Sequence, residues 1–209
     1  MKPARRLAAV ALAAAALLSA CGSQAGSAAV VGDQTVTVSQ VDAYVTDLKA
    51  QLAAVQVTNV DEAKATSAAV QQLTRHLIFD AVAAKEGITV TQGDIDAYLH
   101  DWATTQYNGD RAAFERAGAE QGYVPAAQLP LLARDSIVSN RLVQRLRPGV
   151  TGNDALAAYT ELMQPRVAAL GVQVAPRFGT WNVVQLGPAA NDLSTIPGAV
   201  APVLQPPAS

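Results

Sequence analysis

Apolar positions recur along this chain with two periods. Val30-Val31 and Val36-Thr37-Val38 are short β-branched runs on either side of Gly32-Asp33-Gln34, which predicts a hairpin over Val30–Val38. From there the period lengthens. Val41, Tyr44, Val45, Leu48, Leu52 and Val55 recur at steps of three and four, one face of a helix running from about Ser39 to Val55. Ser39 is the expected N-cap, because its hydroxyl accepts from a free amide of the first turn, and Asp42 is placed to favour the positive end of the helix dipole.

Five more helices follow. Asp61 caps a second that ends at Glu86, with Gly87 beyond it. Val70, Leu73, Leu77, Ala81 and Ala84 mark its apolar face, and Ile78, Phe79 and Val82 widen that face, predicting burial on more than one side. Thr91 caps a third, with Asp94 in its first turn and Ile95, Tyr98, Leu99 and Trp102 as its stripe, broken at Asn108-Gly109. Asp110 opens a short fourth to about Glu120, closed by Gly122. After Val124-Pro125, an irregular turn leads to a fifth helix from about Pro130 to Leu146, with Leu131, Leu132, Val138, Leu142 and Leu146 on its face. Thr151 to Leu170 is the last, with Leu156, Tyr159 and Met163 spaced for one face and Pro165 expected to kink or shorten it.

Val172 to Trp181 reads as extended. A lone hairpin is marginal in water, so this stretch is predicted to return to Val30–Val38 and close a three-stranded sheet. Residues 182–209 turn to Pro, Ala and Gly without periodicity, and read as a disordered tail. The expected fold is mainly α: about six helices closed by a small β-sheet from the N-terminal hairpin and a C-terminal strand, in one domain over residues 30–181.

The first twenty residues stand apart. Lys2, Arg5 and Arg6 precede an uncharged apolar run from Leu7 to Leu18, the layout of a secretory signal and too short for a membrane span. Leu18-Ser19-Ala20-Cys21 resembles the lipobox of bacterial lipoproteins. Cys21 is the sole cysteine, so it has no intrachain disulfide partner. The expectation is therefore cleavage after residue 20 and a diacylglycerol on Cys21, with an N-acyl chain as a further option. Each buried methylene contributes about 0.8 kcal/mol, and two acyl chains suffice for stable anchoring. Residues 21–29 are small and polar and read as a flexible tether. The location this implies is the cell envelope, on the outer face of the plasma membrane.

Charge narrows the partners. Removing residues 1–20 takes three of the 15 basic residues and none of the 17 acidic ones, leaving a net charge of −5. A polyanion needs a basic face, so nucleic acid is an unexpected partner. No P-loop string calls for nucleotide, and HExxH, GxSxG and EF-hand spacings are missing. No catalytic residue, metal or dissociable cofactor is assigned. The two histidines are His76, mid-helix, and His100, four residues after Asp96 and beside Asp101, where a solvated surface pair is the simplest reading. Arg134, Arg141 and Arg145 fall on one helical stripe, read as a solvated face, with acidic clients or lipid headgroups as the functional alternative. Tyr98, Trp102, Tyr107 and Phe114 concentrate on the third and fourth helices. They are the candidate client-binding residues, although the stripe of Tyr98 and Trp102 favours core packing and leaves Tyr107 as the more exposed member.

The order of elements resembles a known family. Val30 to Tyr44, then Leu73-Thr-Arg-His-Leu77-Ile78 with Ala81, Val82 and Ala84, then Gly87-Ile88-Thr89-Val90-Thr91 with Asp94-Ile95-Asp96, is similar to the N-terminal helical domain of the SurA/PrsA foldases. Trigger factor has a related helical region. The similarity spans about Ala28 to Ala169, and Val174 to Trp181 resembles the closing segment of short lipoprotein members. The resemblance implies a chaperone-like domain that binds unfolded or nascent exported proteins without ATP. Longer relatives carry parvulin prolyl isomerase domains after the helices. Only 39 residues follow Leu170, so isomerase activity is not expected here. The alternative is an accessory lipoprotein that binds one specific envelope partner.

Overall fold

The computed structural model describes residues 26–182 and 187–189. The stretch expected to be a signal segment, Cys21 and most of the expected tether and tail lie outside the described residues. The chain opens with β1 (Ser27–Val31) and β2 (Gln34–Thr37), joined by a two-residue turn in which Gly32 takes φ +61°, as a tight hairpin turn requires. β1 begins upstream of the expected hairpin, and its Ala28 and Ala29 are fully buried. The tether therefore ends before Ser27, because two small apolar side chains fit the space over the helices.

Six α-helices follow: α1 (Val38–Ala54), α2 (Glu62–Glu86), α3 (Gln92–Tyr107), α4 (Arg111–Gly122), α5 (Leu129–Leu146) and α6 (Gly152–Leu170). A 3₁₀ turn, Ala126–Gln128, precedes α5, as Pro125 and Pro130 led one to expect. The caps largely match their residue chemistry. Asp61, Thr91 and Asp110 each accept from the third helical amide, and Gly87 (φ +62°) closes α2. The first cap is a correction. Thr37, not Ser39, caps α1, since Gln40 returns its side chain to the Thr37 amide and completes a capping box that Asp42 stands too far along to make. α4 runs on to Gly122, and Tyr123 takes the left-handed position (φ 53°). α6 continues through Pro165 to Leu170 without being shortened, and the Arg166 guanidinium donates to the Leu162 carbonyl (2.7 Å) just before the proline.

The C-terminal strand does return. β3 (Gln173–Val174) pairs antiparallel with β1, Ala29 opposite Val174 and Val30 opposite Gln173, giving a three-stranded sheet in the order β2-β1-β3. It is shorter than Val172–Trp181, because Pro176 starts a 3₁₀ turn (Pro176–Phe178) and ends the ladder. Thr180–Asn182 (β4) instead pairs with Gly187–Ala189 (β5) as a separate ribbon, so the tail read as disordered from residue 182 includes ordered strand at Asn182 and β5.

The central helix is α2, which packs on α1, α5, α6, β1, β2 and β5. The largest core cluster joins α2, α5 and α6 through Ile78, Phe79, Val138, Leu142, Met163 and Val167. A second holds α3 and α4 on α5, and a third seats the sheet on α1 and α2. The face of α6 keeps Met163 and Tyr159 on the core as expected and adds Ala158, Leu162 and Val167, but Leu156 is 43% exposed. Likewise Ala84 of α2 faces solvent, while Gln72, Thr74 and Arg75 are buried. No described helix is long and apolar enough to cross a membrane.

Candidate functional site

The four aromatic candidates come together where α3 and α4 cross. Tyr98 meets Trp102 edge-on (5.9 Å between centroids), and Trp102 and Tyr107 both lean on Phe114 (5.1 and 5.5 Å). Phe114 is 2% exposed, and the Arg111 guanidinium lies 5.6 Å over its ring. It therefore has no free face for a client in this conformation, because it fills the space between α3, α4 and α5. Tyr98, Trp102 and Tyr107 form a half-buried rim around it. Tyr107, expected to be the more exposed member, is half-buried like the other two.

The arginine stripe is partly solvated, Arg145 being exposed, but its side chains are engaged with neighbouring elements and do not form a free basic patch. Arg134 pairs with Asp80 of α2. Arg141 grips Asp94 with both terminal nitrogens (2.7 and 3.2 Å) and reaches the Thr89 carbonyl. Its hydrogen bonds, with those from Thr91, hold the Asp94 carboxyl well below the usual carboxylate range. Arg145 donates to the Glu86 carbonyl at the end of α2. The three side chains tie α5 to α2 and to the α2–α3 connection. Arg141 and Arg145 line a shallow cleft there with Gly87, Ile88, Thr89 and Gln144.

The densest polar chemistry lies in the seam between α2 and α5. His76 Nδ1 is 2.9 Å from Asp135 Oδ1, and its Nε2 is 3.4 Å from Asp80 Oδ2. Burial opposes charge on this imidazole. The Asp135 hydrogen bond and the charges of Asp135 and Asp80 outweigh it, and the His76 pKa is raised above 6.5. Burial pushes the Asp135 carboxyl up, partly offset by His76. Beside this pair, Arg75 lies 5.9 Å from the centroid of Phe79, and Phe79 stacks on Tyr159 of α6 (6.5 Å). Burial raises the Tyr159 phenol to about 12. Among the described residues no cluster of His, Cys, Asp and Glu could hold a metal ion. His100, by contrast, is exposed on α3.

Apolar periodicity alone missed this seam. Its signal is a helical spacing filled by mixed residues: Gln72, Arg75, His76 and Phe79 on α2, and Leu132, Asp135, Ser136 and Ser139 on α5, both at i, i+3, i+4, i+7. Counting opposite charges on facing stripes would have found it.

No curated protein and no solved structure significantly matches the chain. One family model, the SurA-like N-terminal domain, matches residues 6–141, and no parvulin domain is matched. The matched stretch contains the hairpin, α1 to α4 and most of α5, the elements whose order carried the resemblance. Most of the chain is thus covered by that model, and the protein belongs to the SurA-like N-terminal domain family.

Proposed function

We propose that this protein is a lipid-anchored holdase of the bacterial cell envelope. It binds unfolded or nascent exported segments without ATP, cofactor or catalysis, and Cys21 carries the anchor. The observation that supports this reading is the combination of a SurA-like N-terminal domain, from a chaperone-related foldase family, with a lipobox-like sequence ending at Cys21. The test is aggregation suppression. The chain from Gly26 onward is added to a chemically unfolded model protein, and light scattering is followed on dilution. Dose-dependent suppression near equimolar ratio is expected. A folded domain that leaves scattering unchanged would overturn the proposal.

One observation favours a second reading, an accessory lipoprotein for a single envelope partner. Among the described residues the exposed large apolar side chains are Val55 and Leu156, at 39% and 43%. A general holdase works through a contiguous apolar surface, whereas a dedicated partner is matched by a smaller patch. Crosslinking in the native envelope distinguishes the two: one stoichiometric product for the accessory protein, a spread of products for the holdase.

A further inference from the structure

The cleft between the end of α2 and α5 has a volume of about 480 Å³ and is open to solvent. One wall is main chain. Gly87 has no side chain, and the Ile88 side chain is buried in the core, so what these two residues offer the cleft is backbone. Thr89 extends that wall, and its amide donates to no group among the described residues. The opposite wall is Arg141, Gln144 and Arg145 of α5.

The charges around the cleft are nearly all matched. Asp94 is held by Arg141, Glu86 by Arg166 and Glu161 by Arg147. Arg145 is the exception. It is exposed, its guanidinium is steadied by the Glu86 carbonyl, and no carboxylate among the described residues lies within ion-pair distance of it. A guanidinium fixed at one nitrogen still presents donors in a fork, the geometry that grips a carboxylate. Lys85, exposed in the last turn of α2, is a second cation with no carboxylate partner among the described residues.

Two sources of anion would suit Arg145, a lipid headgroup and an acidic polypeptide. Position favours the second. Ala28 and Ala29, next to the point where the tether leaves the fold, pack with Ala69 and Val70 of α2. Gly87 lies 17 residues beyond Val70, about 25 Å further along the helix. The cleft is therefore at the end of α2 away from the expected lipid anchor. Its main-chain wall also suits a polypeptide, whose own amides and carbonyls can pair with it. Because the cleft is open, it accepts a side chain from a segment that passes through.

We infer that this cleft binds an acidic side chain on a passing polypeptide segment, with Arg145 as the ion-pair partner and Gly87–Thr89 as the wall along which the segment lies. The choice of a polypeptide rests on the function proposed above.

The full chain, purified in mild detergent, is titrated by calorimetry with three N-acetylated nonapeptides of small neutral residues. One has a central glutamate and a C-terminal amide, one a central glutamine and an amide, and one a central glutamine and a free carboxylate. The glutamate peptide should bind about fivefold more tightly than the glutamine amide at low salt, the scale of a single exposed ion pair, and the preference should shrink as salt is added. Arg145→Gln should abolish the preference and Arg145→Lys should keep part of it. Arg147→Gln, a neighbouring exposed arginine outside the cleft, should leave it intact. A diazirine placed beside the glutamate should crosslink to residues 85–90 and 141–145. Equal binding of the three peptides, a preference for the free C-terminus alone, a preference unchanged in folded Arg145→Gln, or crosslinks confined to other surfaces overturns the site. Aggregation suppression run in parallel keeps the two proposals apart. Preference without suppression removes the holdase and leaves the cleft, and suppression without preference does the reverse.

Discussion

His76 has a carboxylate at each ring nitrogen, so the protonated ring satisfies both and the neutral ring faces one of them with a lone pair. Its raised pKa means that the folded state holds this proton more tightly than the unfolded chain does. The stabilisation is complete below about pH 6.5, the ordinary histidine value, and is lost as pH rises through the folded value. The raised pKa of Asp135 acts in the same direction, since its buried charge costs stability once the pH climbs above the usual carboxylate range. The melting temperature should therefore fall from about pH 6 to about pH 8, and His76→Gln should flatten that slope. A profile already level in the unaltered protein would show that the pair does not titrate as described. Tyr44 makes a different point. Its buried hydroxyl donates to the Tyr123 carbonyl (2.8 Å), tying α1 to the end of α4. Tyr44→Phe should lose about 1 kcal/mol in denaturant unfolding, the carbonyl being left without its donor. Position Tyr44 was legible as core from its spacing. Its hydrogen bond was not, because Tyr123 lies 79 residues away and nothing local points to it.

The helices were legible because their ends carry local chemistry. A side chain three residues from a free amide caps it wherever the rest of the chain goes, which is why Asp61, Thr91, Asp110 and Gly87 stand where the sequence placed them. At α1 two hydroxyl residues compete, and Gln40 decides for Thr37 by bonding back to its amide. Thr37→Ala should cost about 1 kcal/mol by thermal or urea unfolding, whereas Ser39→Ala should cost nearly nothing. A larger loss at Ser39 than at Thr37 would reverse the assignment. Faces were less legible than ends. On α6, Tyr159 and Met163 lie on the core as their spacing suggested, but Leu156 is left exposed while Ala158, Leu162 and Val167 are buried, because the neighbouring helices decide how far the covered face extends.

At the scale of the molecule, the return of β3 to β1 was readable because a lone hairpin needs a third strand, while the turn of the chain into a second ribbon at β4 was not. The candidate site was the least legible part. The aromatics advertised themselves by composition and proved to surround a buried Phe114, whereas the charged seam of α2 and α5 is assembled from residues 59 apart. The membrane link is testable separately from folding. Cys21→Ser should move the protein from the membrane fraction to the soluble fraction of cells, and retention in the membrane would show that something other than a lipid on Cys21 holds it. Such an anchor would act on a short leash. Ser27 is already paired in β1, and the six peptide steps back to Cys21 span at most about 20 Å fully extended. A protein so tethered would be confined to a thin shell of space next to the bilayer, within that reach of its surface.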